Sequence, residues 1–233
     1  MSKTVAPSQE DFFLRHEADA WFSRTLEGQA QGNYGAETRR GLIDAMKRAG
    51  MKPKALLEIG GGGGMMAKAL HDAFGCRVTM VEPSAQAVRY ASKTYPGIKA
   101  VRGVASELPL PDRSVDVVVL KGVLCWIGRE SLLRAIAEID RVLIDGGHLV
   151  IKDYLPDAPR KNPNHHVKSG DVYCFKTDHA AMFRASGLYT DIHTEIYVDP
   201  TDAFPGCDVF DTRNQIAILK KSYLDFYASR GRR

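Results

Sequence analysis

Apolar residues in the first fifty positions recur with a helical period. Phe12, Phe13, Ala20, Trp21, Phe22 and Leu26 are interleaved with Glu10, Asp11, Arg15 and Glu17, the spacing of an amphipathic helix. A polar stretch from Gly28 to Gly35 follows. Leu42, Ile43 and Met46 then share one face of a second helix over 36–49 that stops at Gly50. From residue 54 the rhythm changes. Short β-rich runs at 54–59, 77–82, 98–102, 115–120 and 147–153 alternate with helical patterns near 64–74, 84–94 and 130–143, the grammar of βαβ units. Val115, Val117, Val118, Val119 and Leu120 are apolar at nearly consecutive positions, which suits a parallel strand covered on both faces. Residues 155–170 break the pattern with Pro156, Pro159, Asn162, Pro163 and Asn164, an irregular segment of the kind that often carries function. Beyond it Thr177 is placed to cap a helix through Ala185, and 188–198 and 214–220 read as late strands. The pattern therefore predicts an α/β fold over 51–233, with a parallel sheet between helical layers and a helical segment over 1–50 added in front.

The first strand, Ala55-Leu56-Leu57-Glu58-Ile59, runs directly into five glycines, Gly60 to Gly64, and then into the helical Met65-Met66-Ala67-Lys68-Ala69-Leu70. Residues without Cβ allow close backbone approach to a ligand, and the free amides at a helix start favour a polar group. A glycine linker has no reason to sit between a buried strand and an immediate helix. The dinucleotide signature G-x-G-x-x-G fails in either register, because its sixth position falls on Met65 or Met66. An alternating register does fit, with Glu58 two residues before Gly60, Gly62 and Gly64. The next strand ends in Glu82, about 20 residues on, where a neighbouring strand tip reaches a ribose. Pro83 and Ser84 then turn the chain and cap a helix. A ribose occurs in nicotinamide and in methionine-derived cofactors alike, so Glu82 by itself does not choose between them.

The Glu58-x-Gly60-x-Gly62-x-Gly64 spacing resembles motif I of class I S-adenosylmethionine-dependent methyltransferases, of the type 11-like group. The resemblance continues through Gly103 to Asp116, similar to the family's approach to strand four, and through Ile139 to Ile151, similar to its helix, Gly-Gly turn and fifth strand. It implies a Rossmann-like seven-stranded sheet with a reversed final strand, and S-adenosylmethionine as cofactor held across the first two strand tips. Val104 stands where many relatives carry an adenine-binding Asp, which leaves the backbone of Val104 and Ala105 for that contact. Cofactor contacts are thus expected from Glu58, Gly60, Gly62, Gly64, Glu82, Pro83, Val104, Ala105 and Lys121. Gly122, Leu124 and Trp126 follow strand four and should line the pocket. Trp126 is placed to shield the sulfonium or to pack as a core aromatic. The helical segment over 1–50 and the 155–175 loop are the additions from which acceptor specificity is expected.

Methyl transfer from a sulfonium is a displacement on an activated donor, so orientation supplies much of the rate and a dedicated base is optional. For a hydroxyl acceptor a base is needed, and His165 and His166 in the loop over the strand tips, together with Asp153 after strand five, are the catalytic candidates. Tyr154, Tyr173 and Phe175 are candidates for the acceptor wall, and Asn33 and Tyr34 for closing over the cofactor. No ligand spacing supports a metal site. The acceptor is expected to be a small molecule, with a sugar or nucleotide-sugar preferred and attack by oxygen or nitrogen left open. The rival readings are an NAD(P)-dependent oxidoreductase and a catalytically silent cofactor-binding subunit.

Bulk properties narrow the partners. The chain has 233 residues, 44% of them hydrophobic, with a net charge of +4, enough for one continuous core and too little charge to impose a dominating field. The basic end, Arg230, Arg232 and Arg233, is short, and no basic face interleaved with stacking aromatics indicates nucleic acid. The four cysteines form no C-x-x-C pair, which points to a reducing cytoplasm. No leader-like apolar segment opens the chain, and no run is long enough to span a membrane.

Overall fold

The computed structural model describes residues 8–30, 36–164, 166–167, 172–198, 212–225 and 227. Its centre is a seven-stranded sheet. In chain order the strands are β1 (Ala55–Ile59), β2 (Arg77–Glu82), β3 (Lys99–Arg102), β4 (Val115–Lys121), β5 (Leu143–Tyr154), β8 (Tyr189–Val198) and β9 (Arg213–Lys221), arranged β3-β2-β1-β4-β5-β9-β8. The pairs through β5 are parallel, and β9 runs antiparallel to both β5 and β8. The reversed final strand is therefore present.

Alternate side chains on each central strand feed two separate cores. Leu56, Val117, Val119, Val150, Ile216 and Ile218 point into one, joined by Leu42 and Met46 from α3 (Ala36–Arg48) and by Met66 and Leu70 from α4 (Met65–Phe74). Leu57, Val118, Leu120, Leu149, Ala217 and Leu219 point into the other, joined by Ile139 and Val142 from α6 (Leu132–Val142) and by Phe183 from α7 (Ala180–Ala185). A strand buried on both faces needs apolar residues in succession, which is what the sequence pattern in β4 carries. The strand order reverses between β1 and β4, and at such a switch point loops splay apart and leave a crevice at the carboxyl ends of the strands.

Several local expectations are corrected. The 155–170 segment contains order: β6 (Arg160–Pro163) pairs antiparallel with β7 (Tyr173–Lys176). Asp178, not Thr177, caps α7, since its Oδ1 accepts from the amides of Ala180 and Ala181 at 3.1 and 3.2 Å. A carboxylate has the acceptor capacity to do this while also binding Arg184 and Gln215. The fifth strand begins at Leu143, and the Gly146–Gly147 turn is a bulge within it where pairing jumps from Leu143 to His148. The first helix begins as α1 (Gln9–Phe12), widens into a π-helical turn over Phe13–Glu17 and continues as α2 (Ala18–Ala30), past the expected stop at Gly28. No helix among the described residues is long and apolar enough to cross a membrane.

Candidate functional site

A cleft opens at the switch point, bordered by the ends of β1, β2 and β4. Its floor begins where β1 turns into α4. Gly60, Gly62 and Gly64 take φ of 73°, 51° and 83°, so the alternating glycines of the sequence are those in the left-handed region, where a side chain is strained. A Cβ on Gly60 would also meet Val123 Cγ2 at 2.5 Å. The loop is consequently fixed in one shape.

Glu82 at the end of β2 is 4% exposed and lines the cleft. Its Oε2 accepts from the Gly62 amide and its Oε1 from the Ser84 amide, each at 2.9 Å. Glycine loop and carboxylate therefore hold each other in place. Burial pushes the Glu82 carboxyl above the ordinary range, the two amides pull it back in part, and the charge of Asp19 adds to the rise. A carboxylate offers about four lone-pair sites, so both oxygens keep capacity for a ligand's hydroxyls. Ser84 caps α5 (Ala85–Thr94) through the Ala87 amide and donates to Asp19 Oδ1 at 2.6 Å, which ties α2 to the same strand tip.

The first helix closes the cleft from above. Gln9 is the main fastener. Its amide donates to Glu130 Oε1 at 2.8 Å, its Nε2 donates to the carbonyls of Trp126 and Tyr173 at 2.7 and 2.9 Å, and its Oε1 accepts from the Tyr173 amide at 2.9 Å. One residue on, Glu10 Oε2 accepts from the Ser106 hydroxyl at 2.6 Å. These bonds bring Glu10, Phe13, Leu14 and Trp21 to the wall, opposite Val123, Trp126 and Ile127 from the turn after β4. The Trp21 ring lies over the glycine loop, 3.5 Å from where a Cβ on Gly62 would stand.

Of the candidates drawn from the sequence, Gly60, Glu82, Pro83, Val104, Ala105 and Trp126 line the cleft, as does Gly122. Glu58 is 2% exposed and packs beneath the loop, its Oε2 3.2 Å from the Cβ position of Gly61. Gly62 and Gly64 shape the turn behind the lining, and Lys121 ends β4 just short of it. Asp153 is 1% exposed and stands behind the wall, accepting from the Cys125 amide at 3.2 Å and the Tyr154 amide at 2.8 Å. The ring of Tyr154 lies under Lys176 Nζ and that of Tyr173 under Lys161 Nζ, at 4.1 and 3.7 Å. Phe175 stacks on Arg129 at 4.3 Å. Tyr173 thus reaches the site through its backbone bonds to Gln9. The His166 amide donates to Asn164 Oδ1 at 2.8 Å, and Asn164 lines the cleft. His165, Asn33 and Tyr34 lie outside the described residues. Gln9, Glu10, Phe13, Leu14 and Trp21 were missed as site residues, because helical periodicity marks a face without saying what it covers, and Asn164 because it lies in a segment read as irregular.

Residues 57–151 match a family model described as a methyltransferase domain. Among curated proteins, the chain is 34% identical over 110 residues to the phthiotriol/phenolphthiotriol dimycocerosates methyltransferase of Mycobacterium leprae, covering 44% of this chain and 38% of that protein. It is 31% identical over 122 residues to the malonyl-[acyl-carrier protein] O-methyltransferase of Methylococcus capsulatus, covering 51% and 44%. The matched stretch is thus less than half the length of these relatives. Solved structures with the same fold include the Burkholderia thailandensis 1,6-didemethyltoxoflavin-N1-methyltransferase, with a TM-score of 0.67, 16% identity and coverage of 95% and 93%. The [4+2]-cyclase SpnF gives a TM-score of 0.71 at 17% identity, with coverage of 94% and 97%.

Proposed function

We propose that the chain carries a class I methyltransferase domain and moves a methyl group from S-adenosylmethionine to an oxygen or nitrogen of a small molecule. The observation that carries this is the lock between Glu82 and the Gly62 amide: a rigid glycine turn and a buried carboxylate on adjacent strand tips. The cradle fits the donor. Glu82 takes the ribose hydroxyls, the turn Gly60–Gly64, whose missing Cβ atoms admit a close approach, receives the polar amino-acid end, and Pro83 with the backbone of Val104 and Ala105 receives the adenine. Lys121 and Glu58 support the two strand ends.

Bound S-adenosylmethionine supplies a methyl on a sulfonium, open to in-line displacement. The protein's part is orientation and exclusion of water, which suffices for much of such a rate. Trp126 and Trp21 close the wall on either side. Asp153, bonded to the Cys125 amide, positions the turn that carries Trp126, and His165 and His166 stand in the segment next to Asn164 as candidate proton acceptors. The first helix acts as the cap on the methyltransferase domain, α3 packs into that domain's core, and Asn164 brings the first half of the 155–175 segment to the cleft. The Burkholderia enzyme, solved with 1,6-didemethyltoxoflavin and S-adenosylhomocysteine, supports a small-molecule acceptor. Titration calorimetry with S-adenosylhomocysteine and with NADH tests the reading. Saturable binding of the first alone is expected. Binding of NADH alone would return the oxidoreductase reading, and binding of neither would end the enzymatic one.

A further inference from the structure

Resting on the reading that Glu82 holds the donor's ribose, we infer that Glu10, carried in by the first helix, accepts from the adenine amino group and so makes the cap part of the donor site. The base of a nucleoside lies beside its ribose. Past Glu82 the cleft continues onto the turn after β3: the Gly103 amide donates to the Glu82 carbonyl at 3.2 Å, and Gly103, Val104 and Ala105 line the cleft next to Pro83. The Glu107 amide closes this turn by donating to the Val104 carbonyl, also at 3.2 Å. Val104 and Ala105 bring apolar side chains to it, which contact a flat ring without choosing between bases.

The carboxylate at this turn is Glu10. The acidic side chains that line the cleft are Glu10 and Glu82, and Glu82 is locked at the tip of β2 by the Gly62 and Ser84 amides. Buried Ser106 directly follows Ala105, and its hydroxyl donates to Glu10 Oε2 at 2.6 Å. A contact across 96 residues thus sets the carboxylate beside the backbone that faces the base. Glu10 Oε1 has no hydrogen-bond partner among the described residues, and an ionised carboxylate can only accept. Adenine presents a matching donor in its exocyclic amino group, whereas a 6-oxopurine places a carbonyl oxygen at that corner, which a carboxylate repels. Donor and cap then reinforce each other, because seating the helix and binding the base use the same side chain.

Calorimetry on the full chain compares S-adenosylhomocysteine with S-inosylhomocysteine, in which a carbonyl oxygen replaces the amino group and N1 carries a proton. Failure of the wild type to bind S-adenosylhomocysteine would refute the donor assignment and this inference together. Where it binds, it should do so roughly thirtyfold or more tightly than the inosyl analogue. Glu10→Ala should weaken S-adenosylhomocysteine about tenfold and leave the analogue unchanged or tighter. Glu10→Gln should narrow the preference further, because the Ser106 hydroxyl keeps the amide oxygen and Nε2 then donates to the analogue's carbonyl. Ser106→Ala, which loosens the carboxylate without removing it, should narrow the preference least. A Glu10 that serves to fasten the helix would weaken both ligands alike and leave their ratio as in the wild type. That result, or a wild type that binds the two equally, overturns the inference and leaves the donor assignment standing. If Glu10→Ala does not fold, the ratios in Glu10→Gln and Ser106→Ala decide.

Discussion

The donor end of the cleft is made almost wholly from one stretch of chain, residues 59–123, whereas the cap end joins Gln9 to Trp126 and Tyr173 across 117 and 164 residues. At the donor end each part is shaped by its neighbours in sequence: β1 sets the turn, the turn's glycines set φ, and Glu82 reaches back 20 residues to bond it. At the cap end no residue has its position from local geometry alone. The first helix is amphipathic, but where it lies is decided by four hydrogen bonds from Gln9 and by the Asp19–Ser84 contact. A ligand site can thus be half inherited from strand-turn-helix geometry and half fastened on by tertiary polar contacts, and the halves should fail differently.

The sharpest break is expected from Glu82→Ala. It removes the acceptor proposed for the ribose and orphans the amides of Gly62 and Ser84. Hydrogen bonds to a charged group contribute about 1.5–3 kcal/mol, so affinity for S-adenosylhomocysteine should fall roughly ten- to hundredfold, read by calorimetry. Gln9→Ala should do the opposite in kind. Its three side-chain bonds contribute about 1 kcal/mol net each, so amide exchange in residues 9–26 should speed by up to roughly a hundredfold. Amides of β1 and β4 should stay protected, and S-adenosylhomocysteine affinity should change less than in Glu82→Ala. Mass spectrometry of hydrogen exchange separates the two. Equal deprotection of β1 would show that the cap and the donor end are one cooperative unit.

The same division explains what the sequence disclosed. Strand positions, the alternating glycines and the place of Glu82 at the end of β2 were legible because each rests on local pattern, or on a motif whose spacing is fixed by a strand, a turn and a helix, whereas the reversed β9 was expected only from the family resemblance. Asp178 and the β6–β7 pairing were not, because proline and asparagine in 156–164 signal a turn without naming the strand that pairs with it. Glu10 was read only as the charged face of a helix. Its place against Ser106 depends on a contact over 96 residues, to which periodicity is blind. Asp153 was placed near the reaction centre from its position after β5. The structure turns its carboxylate onto the Cys125 and Tyr154 amides instead, because a buried strand end needs its neighbours' amides satisfied.

A smaller effect is expected in the acid dependence of donor binding. The Glu82 carboxyl titrates above its ordinary 4.5 in the free protein, and ribose hydroxyls bind best to the ionised form. Affinity for S-adenosylhomocysteine should therefore decline as pH falls through that raised value, beginning above pH 4.5 and approaching tenfold per unit below it. Glu82→Gln should flatten this part of the profile at a lower plateau. An unchanged profile in that variant would place the titrating group elsewhere and weaken the claim that the donor end is self-contained.

The smallest effect concerns the wall behind the acceptor end. His179 is fully buried, both ring nitrogens lack a hydrogen-bond partner among the described residues, and Nδ1 lies 3.8 Å from Asp153 Oδ2. Burial lowers its pKa below 6.5, with the Asp153 charge opposing. The native ring thus stays neutral where the unfolded chain already takes up a proton, so this contribution to stability is present above pH 6.5 and is lost as pH falls toward the folded value. The slope is at most about 1.4 kcal/mol per pH unit. Leu at this position gives up no hydrogen bond, so His179→Leu should shift stability at pH 7 by less than about 1 kcal/mol and should lose the decline between pH 6.5 and 5 in urea melts. If the decline persists, another group carries it. If Leu instead costs several kcal/mol at pH 7, the ring supports Asp153 and the Cys125 turn directly, and the acceptor wall is held by polar contacts on its buried side as well as at Gln9.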